Sequence, residues 1–341
     1  MTTIKDVAKH AGVSPATVSR VLNRHPYVAD DVRDRVLDAI EALGYRPNRV
    51  AQRLRSAQSR VVGVIFSDIN NPFYTVALSG MEAAFSKEHL SVLIGNANID
   101  QNRENDLIEL MRTEEVAGLI IAPVKETSPV LMRVVRECLP VVVIDRRMQD
   151  QELDTVLADN FSGVRSAIAH FIRLGHRRVA ILNGPQHLTS GRERYAGYLQ
   201  AMGDAGLPVD LSLVRFGDYQ QEGGYTLAHE LLALPDPPTA LFAANNLMTI
   251  GALNAIHETR YKIPNDIAVI GFDNLPWAIS INPPLTTVVQ PAFDIGARAA
   301  ELLMERIMDP EGAVRTVVLD TDLIVRQSCG SPPTSARKAA S

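Results

Sequence analysis

The sequence predicts an all-α helix-turn-helix headpiece followed by an α/β core of two Rossmann-like lobes, each built on a parallel sheet. Three observations lead there. A Gly-Val-Ser-Pro turn separates two short amphipathic helices near the start of the chain. From Val61 onward, short and almost wholly apolar runs alternate with longer helical stretches, the pattern of repeated βαβ units whose sheets are covered on both faces. Those runs are also more numerous than one modest open sheet needs, so two lobes account for them better than one.

The first helix is announced by Thr3 and Asp6, in capping-box spacing, and turns Val7, Ala8 and Ala11 inward. Gly12 is placed to end it. Ser14 is a good N-cap and Pro15 suits the first helical position, where its missing N–H is not needed. The second helix then runs to about Leu22, with Val18, Val21 and Leu22 as its apolar face. Ala16, Ser19, Arg20 and Asn23 fall at i, i+3, i+4 and i+7 on the opposite face. Two short helices across a tight turn form a helix-turn-helix. A third helix, about Asp30 to Leu43, is expected to bury Val32, Val36, Leu37, Ile40 and Leu43.

This pattern alone also fits an ordinary three-helix subdomain; charge tips the balance. Residues 1–60 carry eleven Lys and Arg against six Asp and Glu, a net of +5, while the whole chain is −5, so the remainder carries −10. A basic head on an acidic body suggests nucleic acid at one end only. Next comes RPNRVAQRLRS, residues 46–56, where Asn48 can cap a short helix striped by Val50, Ala51 and Leu54. Such a helix is too short to be stable alone, yet a plain linker gains nothing from a lone leucine among arginines. The chain therefore divides into a headpiece (1–46), a hinge helix or linker (47–58), a bilobal core (59–329) and a Pro/Ser/Ala-rich tail (330–341) expected to be disordered.

The apolar runs of the core are VVGVIFS, SVLIGN, AGLIIAP, PVVVIDR, RVAILNG, TALFAAN, IAVIGFD and TTVVQ. Open α/β sheets bind ligands outside the carboxyl ends of their strands. The residues at or just beyond those ends are Asn71, Phe73, Tyr74, Asp145, Arg146, Arg194, Asn245, Asp273 and Gln290. Two carboxylates, two guanidiniums, three amides and two aromatics suit a neutral, hydroxyl-rich ligand with an apolar ring face. Asp145 and Asp273 together match a phosphate poorly, and their Arg neighbours are expected to keep both ionised. Each residue has a structural alternative: Pro72 and its aromatics can open a helix, Asp145 and Arg146 can pair, Asn245 and Asp273 can cap helices. Six loops jointly favour a shared site. Trp277 could wall the cleft or pack on the surface.

Length and composition bound the rest. A chain of 341 residues, 46% hydrophobic and 21% charged, has the balance of a soluble globular protein with two or three domains. No stretch has the length or apolarity of a secretory signal or membrane span. Cys138 and Cys329 stand far apart, which suits a reducing cytoplasm and leaves no zinc or disulfide framework. Phosphate-loop, dinucleotide, nucleophile-elbow and zincin patterns are missing, so the expectation is a cytoplasmic binding protein with no catalytic residues, metal or cofactor. A sugar-transport binding protein is the alternative, opposed by the helix-turn-helix and the missing signal.

TIKDVAKHAGVSPATVSRVLN resembles the headpiece of the lactose-repressor/galactose-repressor (LacI/GalR) family of bacterial transcription regulators at nearly every position, and RPNRVAQRLRS resembles its hinge. The core, to about residue 328, is similar to that family's sugar-binding core, of the periplasmic-binding-protein type. The resemblance implies a homodimeric repressor whose binding to a double-stranded, pseudo-palindromic operator is controlled allosterically by a small sugar. It places Pro15, Ala16 and Arg20 at base edges and Ser14, Thr17, Ser19, Asn23, Tyr27 and Tyr45 mostly on phosphates. It sets the hinge residues Asn48, Ala51, Leu54 and Arg55 at the minor groove, Leu54 as a wedge. In the core the nine strand-end residues match a ribose-binding pattern, which points to a pentose such as ribose. Asn246 departs from the Asp common there, and Asp145-Arg146 differs from members with Asp-Trp, so a hexose, nucleoside or purine stays open.

Overall fold

The computed structural model describes residues 4–22, 28–44, 59–274 and 276–330, in two compact units, Met1–Ser59 and Arg60–Ser341. The first unit holds α1 (Ile4–Ala11), α2 (Pro15–Leu22) and α3 (Asp30–Ala42). Gly12 closes α1 at φ +65°, and the Val13 N–H bonds back to the Ala8 carbonyl at 3.0 Å. Ser14 Oγ accepts from the Thr17 N–H at 3.1 Å, satisfying a donor that the helix start leaves open. Val7, Ala8, Ala11, Val18, Val21, Val36 and Ala39 form the core. One expectation fails here: Leu37 is 49% exposed. The inward stripe of α3 runs Val36, Ala39 and Ile40, continued by Leu43 at its C-cap; Val36 and Ala39 are buried, Ile40 and Leu43 pack partly buried against the core, and Leu37 falls beside them. Thr3, Asn23, Tyr27, Tyr45, Asn48, Ala51, Leu54, Arg55 and residues 331–341 of the tail lie outside the described residues, as does the Ser19 side chain.

The second unit has two sheets, each six-stranded. In the first lobe β1 (Val61–Phe66), β2 (Ser91–Asn96), β3 (Leu119–Ile121), β4 (Val141–Ile144), β5 (Asp154–Ala158) and β11 (Thr316–Leu319) are ordered β11-β5-β4-β3-β1-β2 and all parallel. Its helices are α4 (Pro72–Phe85), α5 (Gln101–Thr113), α6 (Pro129–Arg136) and α11 (Ala292–Met308). In the second lobe β6 (Val179–Asn183), β7 (Val214–Phe216), β8 (Ala240–Ala243), β9 (Ala268–Phe272), β10 (Thr286–Val289) and β12 (Asp322–Ile324) run β12-β10-β9-β8-β6-β7, only β12 antiparallel. Its helices are α7 (Asn160–Arg173), α8 (Thr189–Asp204), α9 (Gln221–Leu232) and α10 (Asn246–His257). The chain crosses between lobes three times: after β5, after β10 and between β11 and β12.

All eight apolar runs are strands. Four further strands, β5, β7, β11 and β12, were not expected from the sequence. Three of them are edge strands of three or four residues, too short to carry a periodic signal. β5 is wholly buried but begins at Asp154, whose carboxylate accepts from Arg306 Nε at 2.8 Å and the Arg315 N–H at 2.8 Å. The partners that make a buried charge tolerable there are more than 150 residues away in the chain.

Candidate functional site

β1 runs through Ser67 and Asp68 into α4. Asn71 caps that helix, accepting from the Phe73 N–H at 2.9 Å, with Pro72 at its first position. The cap fixes Phe73 and Tyr74 in the first turn. The Tyr74 hydroxyl donates to Asp145 Oδ2 at 3.0 Å and lies 2.8 Å from Ser67 Oγ. Asp145 leaves β4 in the left-handed region at φ +68°, and Arg146 Nε sits 3.6 Å from its carboxylate while Nη1 donates to the Pro123 carbonyl.

The opposite wall comes from the second lobe. Arg194, on α8, is 3% exposed; its Nε donates to Asn160 Oδ1 at 2.8 Å and Nη1 to the Ala244 carbonyl. Its guanidinium carbon lies 3.8 Å from the Phe272 ring centroid, a cation–π contact. Asn245 caps α10 through the Met248 N–H at 2.8 Å and donates to the Tyr219 carbonyl at 2.9 Å. Asp273 follows β9 at φ +76° and accepts from Gln290 Nε2 at 2.5 Å. All nine strand-end residues line one cavity between the lobes, of about 280 Å³.

The structural alternatives hold at the same time: Asn71 and Asn245 do cap helices, and Asp145 does pair with Arg146. Each residue serves the fold with some atoms and faces the cavity with others. The Arg neighbours do not set the Asp273 pKa alone: burial pushes it up from the ordinary value, and Arg194, Gln290 and the Asn246 N–H offset this only in part. Burial also raises the Tyr74 phenol, with Asp145 adding to it, so Tyr74 stays a neutral donor.

Sequence reasoning missed several wall residues, among them Ser67, Asp68, Ser190, Tyr219 and Gln220. Tyr219 stands at φ +66°, its ring 5.7 Å from the Arg194 guanidinium carbon and its hydroxyl 3.2 Å from Ser190 Oγ. It follows β7, a strand of three residues whose sequence gives no periodic signal to mark its carboxyl end. Asp68 lies directly past VVGVIFS and was within reach of the same strand-end rule. Among the bonds that cross the cleft, Gln220 Nε2 donates to Asp68 at 3.1 Å, and Asn246 Nδ2 to Asn71 Oδ1 at 2.8 Å. Trp277 packs in the outer cluster of the second lobe with Ile263 and Ile281 and does not line the cavity.

In the first unit Ser14, Pro15, Ala16 and Arg20 are exposed along α2 and Thr17 is half-buried, its hydroxyl 2.9 Å from that of Ser14. Among the described residues, no group of His, Cys, Asp and Glu is arranged to hold a metal ion, and no helix is long and apolar enough to cross a membrane.

Residues 3–48 match the family "Bacterial regulatory proteins, lacI family", and residues 168–329 match "Periplasmic binding protein-like domain". The chain is 33% identical over 330 residues to the HTH-type transcriptional repressor PurR of Mannheimia succiniciproducens, covering 96% of this chain and 98% of that protein. It is 32% identical over 331 residues to the HTH-type transcriptional repressor CytR of Escherichia coli, covering 97% of each. Among solved structures, the lac repressor dimer bound to operator and the anti-inducer ONPF superposes with a TM-score of 0.85 at 26% identity, over 97% of this chain and 99% of that one. The regulator CelR in complex with cellobiose gives 0.74 at 32% identity over 96% and 100%. A LacI-family regulator from Enterococcus faecium with bound ribose gives 0.70 at 29% identity over 79% and 98%. Matched over nearly its whole length, the chain belongs to the LacI family of bacterial regulatory proteins, DNA-binding transcriptional repressors that join a helix-turn-helix head to a two-lobed, ligand-binding core.

Proposed function

We propose that this protein represses transcription in the cytoplasm by binding a pseudo-palindromic operator as a homodimer, and that a neutral monosaccharide, a pentose such as ribose, controls that binding from the interlobe cleft. The observation that carries the sugar reading is the make-up of one cavity. Its walls bring together Asp145, Asp273, Arg146, Arg194, four amides and the Phe73 and Tyr74 rings. Counted in full, they hold four aspartates against three Lys and Arg, a balance that disfavours a phosphate or carboxylate ligand. Carboxylates accept from hydroxyls, guanidiniums and amides donate, and the rings cover an apolar sugar face. At about 280 Å³ the cavity is at the small end for ligand sites, which favours one sugar ring over two. The ribose-bound relative supports the same choice.

On the DNA side, Pro15, Ala16 and Arg20 stand exposed on α2. Arg20 is the one among them able to grip guanine with two hydrogen bonds, while Pro15 and Ala16 can read only shape and apolar contact, such as thymine methyls. Ser14, Thr17 and Ser19 would bind phosphates, joined by Asn23, Tyr27 and Tyr45. The hinge residues Asn48, Ala51, Leu54 and Arg55 would occupy the minor groove. The division into headpiece 1–46, hinge 47–58, core 59–329 and tail 330–341 belongs to this proposal.

The experiment is a thermal-shift screen of the purified protein against pentoses, hexoses, hexuronates, sugar phosphates, nucleosides and purines, followed by calorimetry. The proposal expects a neutral sugar to stabilise the protein and Arg194→Ala to abolish the shift. Stabilisation by phosphorylated or purine ligands alone would reject the sugar.

A further inference from the structure

We infer that Glu126 is a positioning residue that holds the lobes together by capping the first turn of α8 from across the cleft. This rests on reading the cavity as the effector site, but Glu126 is not among its walls. Glu126 belongs to the first lobe, in the loop between β3 and α6, and is 3% exposed. One carboxylate oxygen accepts from both the N–H and the hydroxyl of Thr189, the first residue of α8. The other accepts from Arg192 Nη2 at 2.7 Å and from Gln149 Nε2 at 2.9 Å. Leu188, at the N-cap position of α8, offers no side-chain cap. The acceptor that this helix start needs, and the negative charge its dipole favours, come from the other lobe.

The loop that presents Glu126 is anchored from behind. Its Val124 N–H donates to the fully buried Glu104 at 2.5 Å, and its Pro123 carbonyl accepts from Arg146. The Gln149 N–H donates to the Glu126 carbonyl at 2.8 Å. The Arg147 N–H adds a further crossing bond, to the Thr189 hydroxyl at 3.1 Å. Burial alone would raise the Glu126 pKa, but the bonds from Thr189, Arg192 and Gln149 outweigh it and hold the carboxyl below its ordinary range. The ionised form is the one the contact uses. α8 carries Ser190 and Arg194 into the cavity wall. Separating the lobes strips the cap from α8, so closure and the placing of Arg194 are linked through a side chain that does not line the cavity.

The test is amide hydrogen exchange by mass spectrometry on the full-length protein without ligand, comparing wild type, Glu126→Gln and Glu126→Ala. Loss of charge-assisted bonds should speed exchange at residues 189–192 of Glu126→Ala by roughly tenfold or more. Glu126→Gln, which keeps an acceptor for Thr189, should fall between. β8 and β9 should exchange as in wild type. Unchanged exchange at 189–192, or an increase spread evenly over the second lobe, would overturn the proposal. A D-ribose titration separates the two readings. Weaker affinity in Glu126→Ala at an unchanged melting temperature supports the latch, and wild-type affinity counts against it. A wild type that ignores D-ribose rejects the pentose and leaves the exchange result to decide on Glu126.

Discussion

Asp273 is pulled two ways by its surroundings. A hydroxyl-binding role needs a carboxylate, while burial favours the neutral acid and raises its pKa above the ordinary 3.8. Between those two values the folded chain holds a proton that the unfolded chain has released, so stability falls as pH rises through the window. Above that window the Asp273 carboxyl costs the fold stability, and a hydroxyl donor bound in the cavity would offset part of that cost. Asp273→Asn is therefore expected to raise the melting temperature of the ligand-free protein at pH 7 and to flatten that limb of its pH–stability curve, while weakening sugar binding. Thermal denaturation from pH 4 to pH 8 checks it, and a lower melting temperature for the variant at pH 7 would contradict it. On α2, Arg20→Ala should forfeit roughly 1–3 kcal/mol of preference for operator over scrambled DNA, the worth of one bidentate base contact, and keep its sugar response. Fluorescence anisotropy on the two duplexes measures both. These single residues were legible because a strand's carboxyl end and a helix's exposed face are local facts. What stayed hidden was nonlocal: the burial of Asp273 depends on a second wall, and Tyr219 arrives on a strand of three residues.

At the level of elements, α4 and α11 cross so closely that glycines are required. A Cβ on Gly296 would overlap the Ala77 carbonyl, and one on Gly80 the Phe293 carbonyl. Gly296→Ala should lower stability by about 1–3 kcal/mol, the range for overpacking a well-filled core, with the midpoint of urea unfolding as the readout. The hinge presents the opposite case. Residues 46–58 can form a helix too short to persist alone, so their amides should exchange fast in the free protein and become protected on operator. Leu54→Ala should weaken operator binding and DNA bending while leaving the sugar affinity of the free protein unchanged. Protection already complete without DNA would make the hinge a plain tether. The two kinds of element also show what a sequence discloses. α2 could be read from its Ser14 cap and i, i+3, i+4 spacing, and the long apolar runs from their composition. β5 could not, because the arginines that neutralise Asp154 come from elements far along the chain, and Leu37 was misplaced because a one-position shift turns a side chain by about 100° around a helix.

For the whole molecule, the three crossings between lobes and the bonds across the cleft make closure a property of the core as a unit. Two-lobed architecture was legible from the number of apolar runs; the contacts that hold the lobes together were not, since each joins residues 42 or more positions apart. A sugar that changes the balance between open and closed lobes can change the spacing of paired hinges. The coupling needed is about 1–3 kcal/mol, a change of roughly 5- to 150-fold in operator affinity. On the proposed function, a neutral sugar in this cleft governs operator binding. The most direct test is a fluorescence-anisotropy titration of D-ribose into the complex of the protein with a pseudo-palindromic duplex selected from a random library, run on wild type and Arg194→Ala. Ribose should shift DNA affinity at least about fivefold in wild type, without being consumed, and have no effect on the variant, whose DNA affinity without sugar should match wild type. An operator complex indifferent to every neutral sugar at saturation, or an Arg194→Ala protein that still responds, would contradict it.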